Sequence, residues 1–370
     1  MIPGLDGLRA VAFLLVFAVH TDYLNFGWTG VQLFFVLSGF LITGILLEMK
    51  EHLPAGAYFV RFYGRRFLRI FPLYYFYLFL MVAVTTFLLA HGYRPNYMRL
   101  FREQLPYALA YIYNFFYSSS LFEHHKYLEH FWSLSVEEQF YVFWPLVVFL
   151  TPKRHLKKLF LGAITLGPAM RIALAILYRA HPFDLLGQDV ATGIYPLPLS
   201  HIDAFAWGAL ITQDPIRHAR EKFYALLLAV PSLGFLAQWV ATGSLGEWHT
   251  LGYPFAMPHA AQFIWGYSIL NYWFAIVIYG VAREGWFLRF LEWGPIRYLG
   301  KISYGLYVYH LAIIWFVARI RDMGIENEGI AKPLTAGIAL IVTVLVASLS
   351  YFALEKPILS LKDRFFPRRN

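Results

Sequence analysis

The sequence predicts an all-α fold: a polytopic transmembrane helical bundle of about ten transmembrane helices, with N- and C-termini cytoplasmic. Three observations carry this. Of 370 residues, 59% are hydrophobic and only 14% charged, with a mean hydropathy of +0.52, so there is too little polar surface to cover a water-soluble globule. The apolar residues gather into stretches of about twenty, the length that crosses a hydrocarbon core of about 30 Å. Lys and Arg fall in short segments between those stretches and are denser in every second one.

In chain order the expected spans are 8–25, 30–49, 72–91, 131–150, 159–178, 196–213, 223–242, 259–282, 302–320 and 333–353. Pro106–Tyr117 is apolar and aromatic but short for a crossing, and reads as an interfacial or re-entrant piece. Charge placement tests this count. With a cytoplasmic N-terminus and ten spans, the inside holds Arg9, Lys50 to Arg69, Lys153 to Lys158, Arg217 to Lys222, Arg283 to Lys301 and the tail from Lys356. An eleventh span at Pro106–Tyr117 would put Lys153 to Lys158 outside and reverse every later loop, against the positive-inside rule. Residues 1–355 are therefore expected to form one integral membrane domain and 356–370 a short basic cytoplasmic tail, without a cleavable signal peptide. The net charge of +9 reads as orientation, so no nucleic-acid partner is expected. Zero cysteines exclude disulfides, thiolate nucleophiles and Cys-ligated metals.

Polar residues inside the spans converge in depth. His20 follows Arg9 by eleven helical steps, about 16 Å, or half a hydrocarbon core. Glu137 and Glu138 lie about 10 Å in from the outer end of their helix. Ser38 and Asp203 reach a similar level, and His310 comes up from the inside to near the midplane. An ionised group at the bilayer centre costs on the order of 3 kcal/mol, so several at one level need a reason. A structural polar network between helices accounts for any one of them alone, and Ser38-Gly39 also suits close packing by small residues.

On the cytoplasmic side, Gly64-Arg65-Arg66-Phe67-Leu68-Arg69-Ile70-Phe71-Pro72 sets Arg66 and Arg69 on one face of a helical turn. Two guanidinium forks there can clamp a diphosphate; an ordinary positive-inside loop is the plainer reading. Pro72 suits the first turn of the third helix. The run Glu123-His124-His125-Lys126-Tyr127-Leu128-Glu129-His130 has weak metal-ligand spacing and reads more simply as a hydrated outer loop. His201 and His259 sit near outer helix ends and read as interfacial residues or acceptor contacts.

Five stretches carry a resemblance: Gly4-Leu5-Asp6-Gly7-Leu8-Arg9-Ala10 with His20, Phe34-Phe35-Val36-Leu37-Ser38-Gly39-Phe40-Leu41-Ile42, Arg66-x-x-Arg69, Trp132-Ser133-Leu134-Ser135-Val136-Glu137-Glu138-Gln139-Phe140-Tyr141, and Ser303-Tyr304-Gly305-x-Tyr307-x-x-His310. In this order they resemble the motifs of the acyltransferase-3 family, bacterial membrane O-acyltransferases that modify O-antigen, exopolysaccharide and related acceptors. The resemblance runs from Gly4 to about Pro357. Gln32 stands where many relatives have Asp. The extra periplasmic hydrolase-like domain of some relatives is not seen in this sequence, so the membrane unit is expected to complete the reaction alone.

The resemblance implies transfer of an acyl group, acetyl first, from cytoplasmic acyl-CoA to a hydroxyl of a saccharide acceptor at or across the bacterial cytoplasmic membrane. His20, Glu137 and Arg9 are then the expected catalytic set, with His20 as general base and Glu137 orienting its imidazole; Glu138 points about 100° away and is the weaker partner. Arg65, Arg66, Arg69 and Arg9 are expected to bind the acyl-CoA co-substrate. Asp203, Ser38, Tyr307 and His310 are expected on the acceptor side, and no metal is expected. Direct transfer and an acyl-histidine relay both remain open, and Tyr307, Ser303 and Ser38 are all available as oxyanion donors. A proton-coupled transporter or lipid-linked-sugar carrier is the alternative class, its buried His, Glu and Asp forming a proton relay; it has no need of Arg66 and Arg69.

Overall fold

The structure, a computed structural model, describes residues 2–180, 189–321 and 328–366. Among these it is helical throughout, with no strand. The helices are α1 (Leu5–His20), α2 (Thr29–His52), α3 (Ala55–Ala90), α4 (Pro95–Leu109), α5 (Tyr113–Ser118) and α6 (Phe131–Leu150). There follow α7 (Lys153–Arg179), α8 (Val190–Ile194), α9 (Ile202–Leu210), α10 (Ala219–Thr242) and α11 (Gln262–Glu284). Last come α12 (Leu288–Leu291), α13 (Gly294–Lys301), α14 (Ser303–Arg321), α15 (Glu328–Ser350) and α16 (Lys356–Phe365), the final two joined by a π-helical turn over Tyr351–Glu355.

By length and composition, six helical stretches among the described residues suffice to cross a membrane: Asn25–His52, Ala55–Ala90, Lys153–Arg179, Ala219–Thr242, Gln262–Glu284 and Gly329–Lys362. A seventh is added if Gly294–Lys301 and Ser303–Arg319, which meet at 78°, count as one. The stretch expected at 8–25 is the 16-residue α1, and the one expected at 131–150 is α6 itself. The expected 196–213 span is broken into a 3-10 turn at Pro198–His201 and the nine-residue α9. Pro196 and Pro198 explain the break, because each lacks an N–H and disfavours helix in the residue before it. Pro106–Tyr117 divides between α4 and α5, with Tyr111 between them in the left-handed region at φ 53°.

α3 differs from expectation at its start. Instead of opening at Pro72, it begins after Pro54 and runs 36 residues with Pro72 inside it. A stripe of buried side chains at Tyr58, Phe62, Ile70, Tyr74 and Tyr77 keeps helical spacing across the proline, and this packing outweighs the lost backbone bond. Arg66 lies on that stripe, four residues from both Phe62 and Ile70. The arginine segment is thus a rigid extension of a membrane helix. The basic tail continues as α16 and packs back on α3: a Cβ on Gly64 would stand 2.2 Å from the Phe366 ring, and Arg65 Nη1 donates to the Phe366 carbonyl at 2.7 Å. Residues 367–370, with Arg368 and Arg369, lie outside the described residues.

Two crossings bring the core helices into backbone contact. A Cβ on Gly39 of α2 would sit 2.1 Å from the Phe205 carbonyl oxygen of α9, and one on Gly208 would sit 2.0 Å from that of Val36. The small-residue packing expected at Ser38-Gly39 is therefore met at Gly39. Gly300 of α13 likewise rests on the Asp6 carbonyl of α1, 1.7 Å from where its Cβ would be. α1 packs on α2, α13 and α14, and so lies at the centre of the bundle.

Candidate active site

α1 is one unbroken helix, so Arg9 and His20 stand near its two ends on a single rigid rod. Arg9 pairs through Nη1 with the Asp6 carboxylate, one turn back. It also lines a cavity enclosing about 930 Å³ including its open mouth. Arg66 and Arg69 of α3 line the same cavity, and neither has an ion pair or hydrogen bond to another described residue. The Arg66 guanidinium lies over two rings, 5.9 Å from the Phe62 centroid and 5.4 Å from that of Tyr141.

The cavity walls are apolar along Phe34, Leu37, Leu41 and Ile42 of α2 and Leu134 of α6, with a polar row opposite. That row follows from spacing on α6: Ser133, Glu137 and Tyr141 recur every four residues and share one face. Glu137 Oε1 accepts a hydrogen bond from Ser38 of α2 and another from Tyr141 Oη at 2.5 Å; Ser38 Oγ lies 3.2 Å from Tyr141 Oη. Ser133 Oγ and Tyr307 Oη are 2.5 Å apart, joining α6 to α14. Phe34 meets Tyr307 edge to face with centroids 6.0 Å apart.

His20 is not in the cavity wall. It stands behind Tyr307 in a cluster of three imidazoles. His310 Nε2 is 3.0 Å from His20 Nδ1, and His310 Nδ1 is 2.6 Å from the Tyr307 carbonyl oxygen. His130 Nε2 reaches the Val308 carbonyl at 3.0 Å, with its ring 5.2 Å from that of His310. The partner expected for His20 was Glu137; the structure instead gives His20 to His310 of α14, and Glu137 to Ser38 and Tyr141.

The other expected site residues divide. Arg9, Arg66, Arg69, Ser38, Glu137 and Tyr307 line one cavity, and Glu138 joins them. Arg65 points elsewhere, to Phe366. Asp203 is fully buried in an ion pair with Arg171 of α7, with Nη2 to Oδ2 at 2.9 Å and Nη1 to Oδ1 at 3.1 Å. It also accepts from Ser268 at 2.6 Å and Asn271 at 3.3 Å, so its oxygens are occupied and turned away from the cavity. His201, expected near an outer helix end, is fully buried, its ring nitrogens taken by Gln32 and the Tyr195 carbonyl. In the loop before α6, His124 faces Glu129, whereas His125 reaches the Tyr97 carbonyl at 3.0 Å. Among the described residues no group of three or more His, Asp or Glu is placed to hold a metal ion.

Sequence reasoning passed over four of these residues. Tyr141 and Ser133 were recoverable, since each sits four residues from Glu137 on one helix face. Arg171 and His130 were not, because their partners come from helices far away in sequence.

A family model described as an acyltransferase domain matches residues 2–352. The chain is similar to O-acetyltransferase OatA of Staphylococcus aureus, 29% identical over 373 residues, covering 96% of this chain and 57% of that protein. It is also similar to peptidoglycan O-acetyltransferase OatA of Listeria monocytogenes, 29% identical over 375 residues, covering 96% of this chain and 56% of that protein. The chain thus spans a little over half the length of these relatives. No solved structure matches it. With the five motifs in order along the helices that build the cavity, and the model matched over nearly all its length, the chain belongs to the acyltransferase-3 family.

Proposed function

We propose that the chain is a membrane O-acetyltransferase, moving an acetyl group from cytoplasmic acetyl-CoA to a saccharide hydroxyl presented from the other side of the membrane. Peptidoglycan glycan is the acceptor class we put first, because one relative is named for it. The observation that carries the reading is the cavity, which is lined by two arginines with no ion pair or hydrogen bond among the described residues and by Tyr307, whose carbonyl holds the His310 that contacts His20.

In this reading the CoA diphosphate rests on Arg66 and Arg69, whose planar forks suit bidentate phosphate bonds, with Arg9 beside them. The pantetheine arm lies along Phe34, Leu37, Leu41 and Ile42, and the thioester stops at the Ser133–Tyr307 hydroxyl pair. Turnover requires the Tyr307 ring to move aside. His20 Nε2 then takes the proton of the acceptor hydroxyl, and the oxygen attacks the thioester carbonyl. The tetrahedral intermediate collapses with loss of CoA thiolate, which takes the proton back from His20. The Ser133 hydroxyl, released from Tyr307 by that movement, is the donor nearest the developing oxyanion. Glu137 acts on the cavity itself: through Tyr141 it holds the ring on which Arg66 lies. Asp203 and Arg65 have no part in this scheme.

The reading takes the chain as ten crossings of a bacterial cytoplasmic membrane with both ends cytoplasmic, which sets Arg9, Arg66 and Arg69 facing the donor pool. In proteoliposomes given labelled acetyl-CoA and a glycan acceptor, His20→Ala is expected to lower acetyl transfer roughly 10²–10⁴-fold while the protein still inserts. Transfer, read as the acetyl mass increment on the glycan, at the unsubstituted rate in that variant would end the assignment.

A further inference from the structure

We infer that His310 fixes the tautomer of His20, leaving His20 Nε2 as a bare lone pair. His310 is then a positioning residue for the base; the inference rests on the proposed role of His20.

The argument follows from which atoms can donate. A backbone carbonyl only accepts, so the 2.6 Å contact between His310 Nδ1 and the Tyr307 carbonyl places a proton on His310 Nδ1. His310 is fully buried and has no carboxylate in contact among the described residues; besides His20, the ring centroids around it are those of His130 at 5.2 Å, Tyr307 at 5.5 Å and Phe13 at 5.9 Å. His130 gives no counter-charge either, since its Nε2 donates to the Val308 carbonyl and its buried Nδ1 has no partner among the described residues. A second proton on His310 would bury an unpaired charge among aromatic rings. Neutral, and protonated on Nδ1, His310 keeps Nε2 as an acceptor.

That acceptor lies 3.0 Å from His20 Nδ1, so the shared proton belongs to His20 Nδ1. A neutral imidazole carries one proton, and His20 Nε2 is left bare. The chain runs from the Tyr307 carbonyl to His310 to His20, with a neutral imidazole in the place where other general bases use a carboxylate. The anchor is set by helix geometry: His310 bonds the carbonyl three residues before it, so α14 itself dictates which nitrogen of His310 is free. When His20 takes a proton on Nε2, the Nδ1–H bond to His310 becomes charge-assisted and strengthens.

The test reads the tautomer directly. In the full-length protein labelled with 15N-histidine in lipid, the signals lost in His20→Ala identify His20. They are expected to show a protonated Nδ1 and an unprotonated Nε2; the opposite pattern overturns the inference even where no other variant folds. His310→Leu keeps the bulk and removes the acceptor. It is expected to mix the two tautomers and to lower turnover roughly 10²-fold at unchanged KM for acetyl-CoA. His310→Gln, whose Oε1 can accept from His20 Nδ1–H, is expected to restore most of both. Full turnover in His310→Leu overturns the inference and leaves the base assignment standing, whereas full turnover in His20→Ala removes the base assignment itself.

Discussion

Two regions of this molecule set arginine among membrane helices and treat it in opposite ways. Arg171 uses all five of its N–H donors: Nε to the Ile264 carbonyl at 3.0 Å, Nη1 to the Ser200 carbonyl at 2.5 Å and Asp203, Nη2 to Asp203 and Ser268 at 2.7 Å. Its Asp203 partner is as fully saturated, and neither has any exposed surface. Arg66 and Arg69 face an open cavity, stacked or solvated, with no protein acceptor among the described residues. A buried charge that is completely paired holds helices together. A half-enclosed guanidinium with no ion pair among the described residues can take an anion at no cost to the bundle, and the proposed function gives that place to a diphosphate.

The largest effect tests the paired region. Asp203→Ala strands a buried guanidinium and is expected to cost about 3–5 kcal/mol of stability, seen as a lower Tm and less recovered folded protein. Replacing both partners, Arg171→Leu with Asp203→Leu, is expected to recover much of that loss, because the charge and its partner leave together. An unchanged Tm with lost acetyl transfer in Asp203→Ala would return this carboxylate to the acceptor site and break the contrast.

The unpaired region should answer in the reverse manner. Arg66→Ala and Arg69→Ala are each expected to leave Tm unchanged and to weaken acetyl-CoA binding roughly 10–100-fold, the loss of charge-assisted hydrogen bonds. Binding measured by calorimetry on the purified protein decides it. Tyr141→Phe sharpens the comparison further: it keeps the ring under Arg66 and removes only the hydroxyl that donates to Glu137. A loss of about 1 kcal/mol, several-fold in affinity, is expected there, and Tyr141→Ala should lose more by removing the ring as well.

Much of the unpaired region was legible in the sequence, and the paired one was not. Arg66 and Arg69 share a helix face, and Arg9 and His20 share a helix, so local spacing alone places them. Gly39 declares a close crossing by its small size, and the prolines at 196 and 198 declare a broken helix, although the apolar run around them suggested a full span. Arg171 finds Asp203 across two helices, and His20 finds His310 at 290 residues' separation. Such pairs depend on how helices rotate against one another, and depth along the membrane normal does not specify rotation. Asp203 and His20 were therefore set at similar depth, while the bundle gives them to different partners. Pro72 misled for a related reason: its local cost is real, but the stripe from Tyr58 to Tyr77 gains more by staying one helix.

The smallest expected effect extends the comparison to the loop before α6, where a paired polar group again serves structure. His125 is fully buried; its Nε2 donates to the Tyr97 carbonyl at 3.0 Å and its Nδ1 accepts from the Tyr127 N–H at 3.3 Å. Burial lowers its pKa from 6.5 to about 4. Above pH 6.5 the ring is neutral whether the loop is folded or open. Between pH 6.5 and 4 the open loop binds a proton that the folded loop refuses, so stability falls as pH drops through that window and levels off below it. Glu129 acts lower: burial alone would raise its carboxyl, but His124 and Lys126 outweigh that and hold it down from 4.5 to about 2, so its own share of the loss begins only near pH 4.5 and continues below the His125 window. Amide protection factors across residues 119–130, with the intrinsic exchange rate at each pH divided out, are therefore expected to fall on acidification toward about pH 4. His125→Gln should lose most of that pH dependence. Because His124 and Glu129 remain in that variant, the difference between the two proteins isolates His125, and an equal loss of protection in both would show that the loop's stability does not depend on His125 remaining neutral.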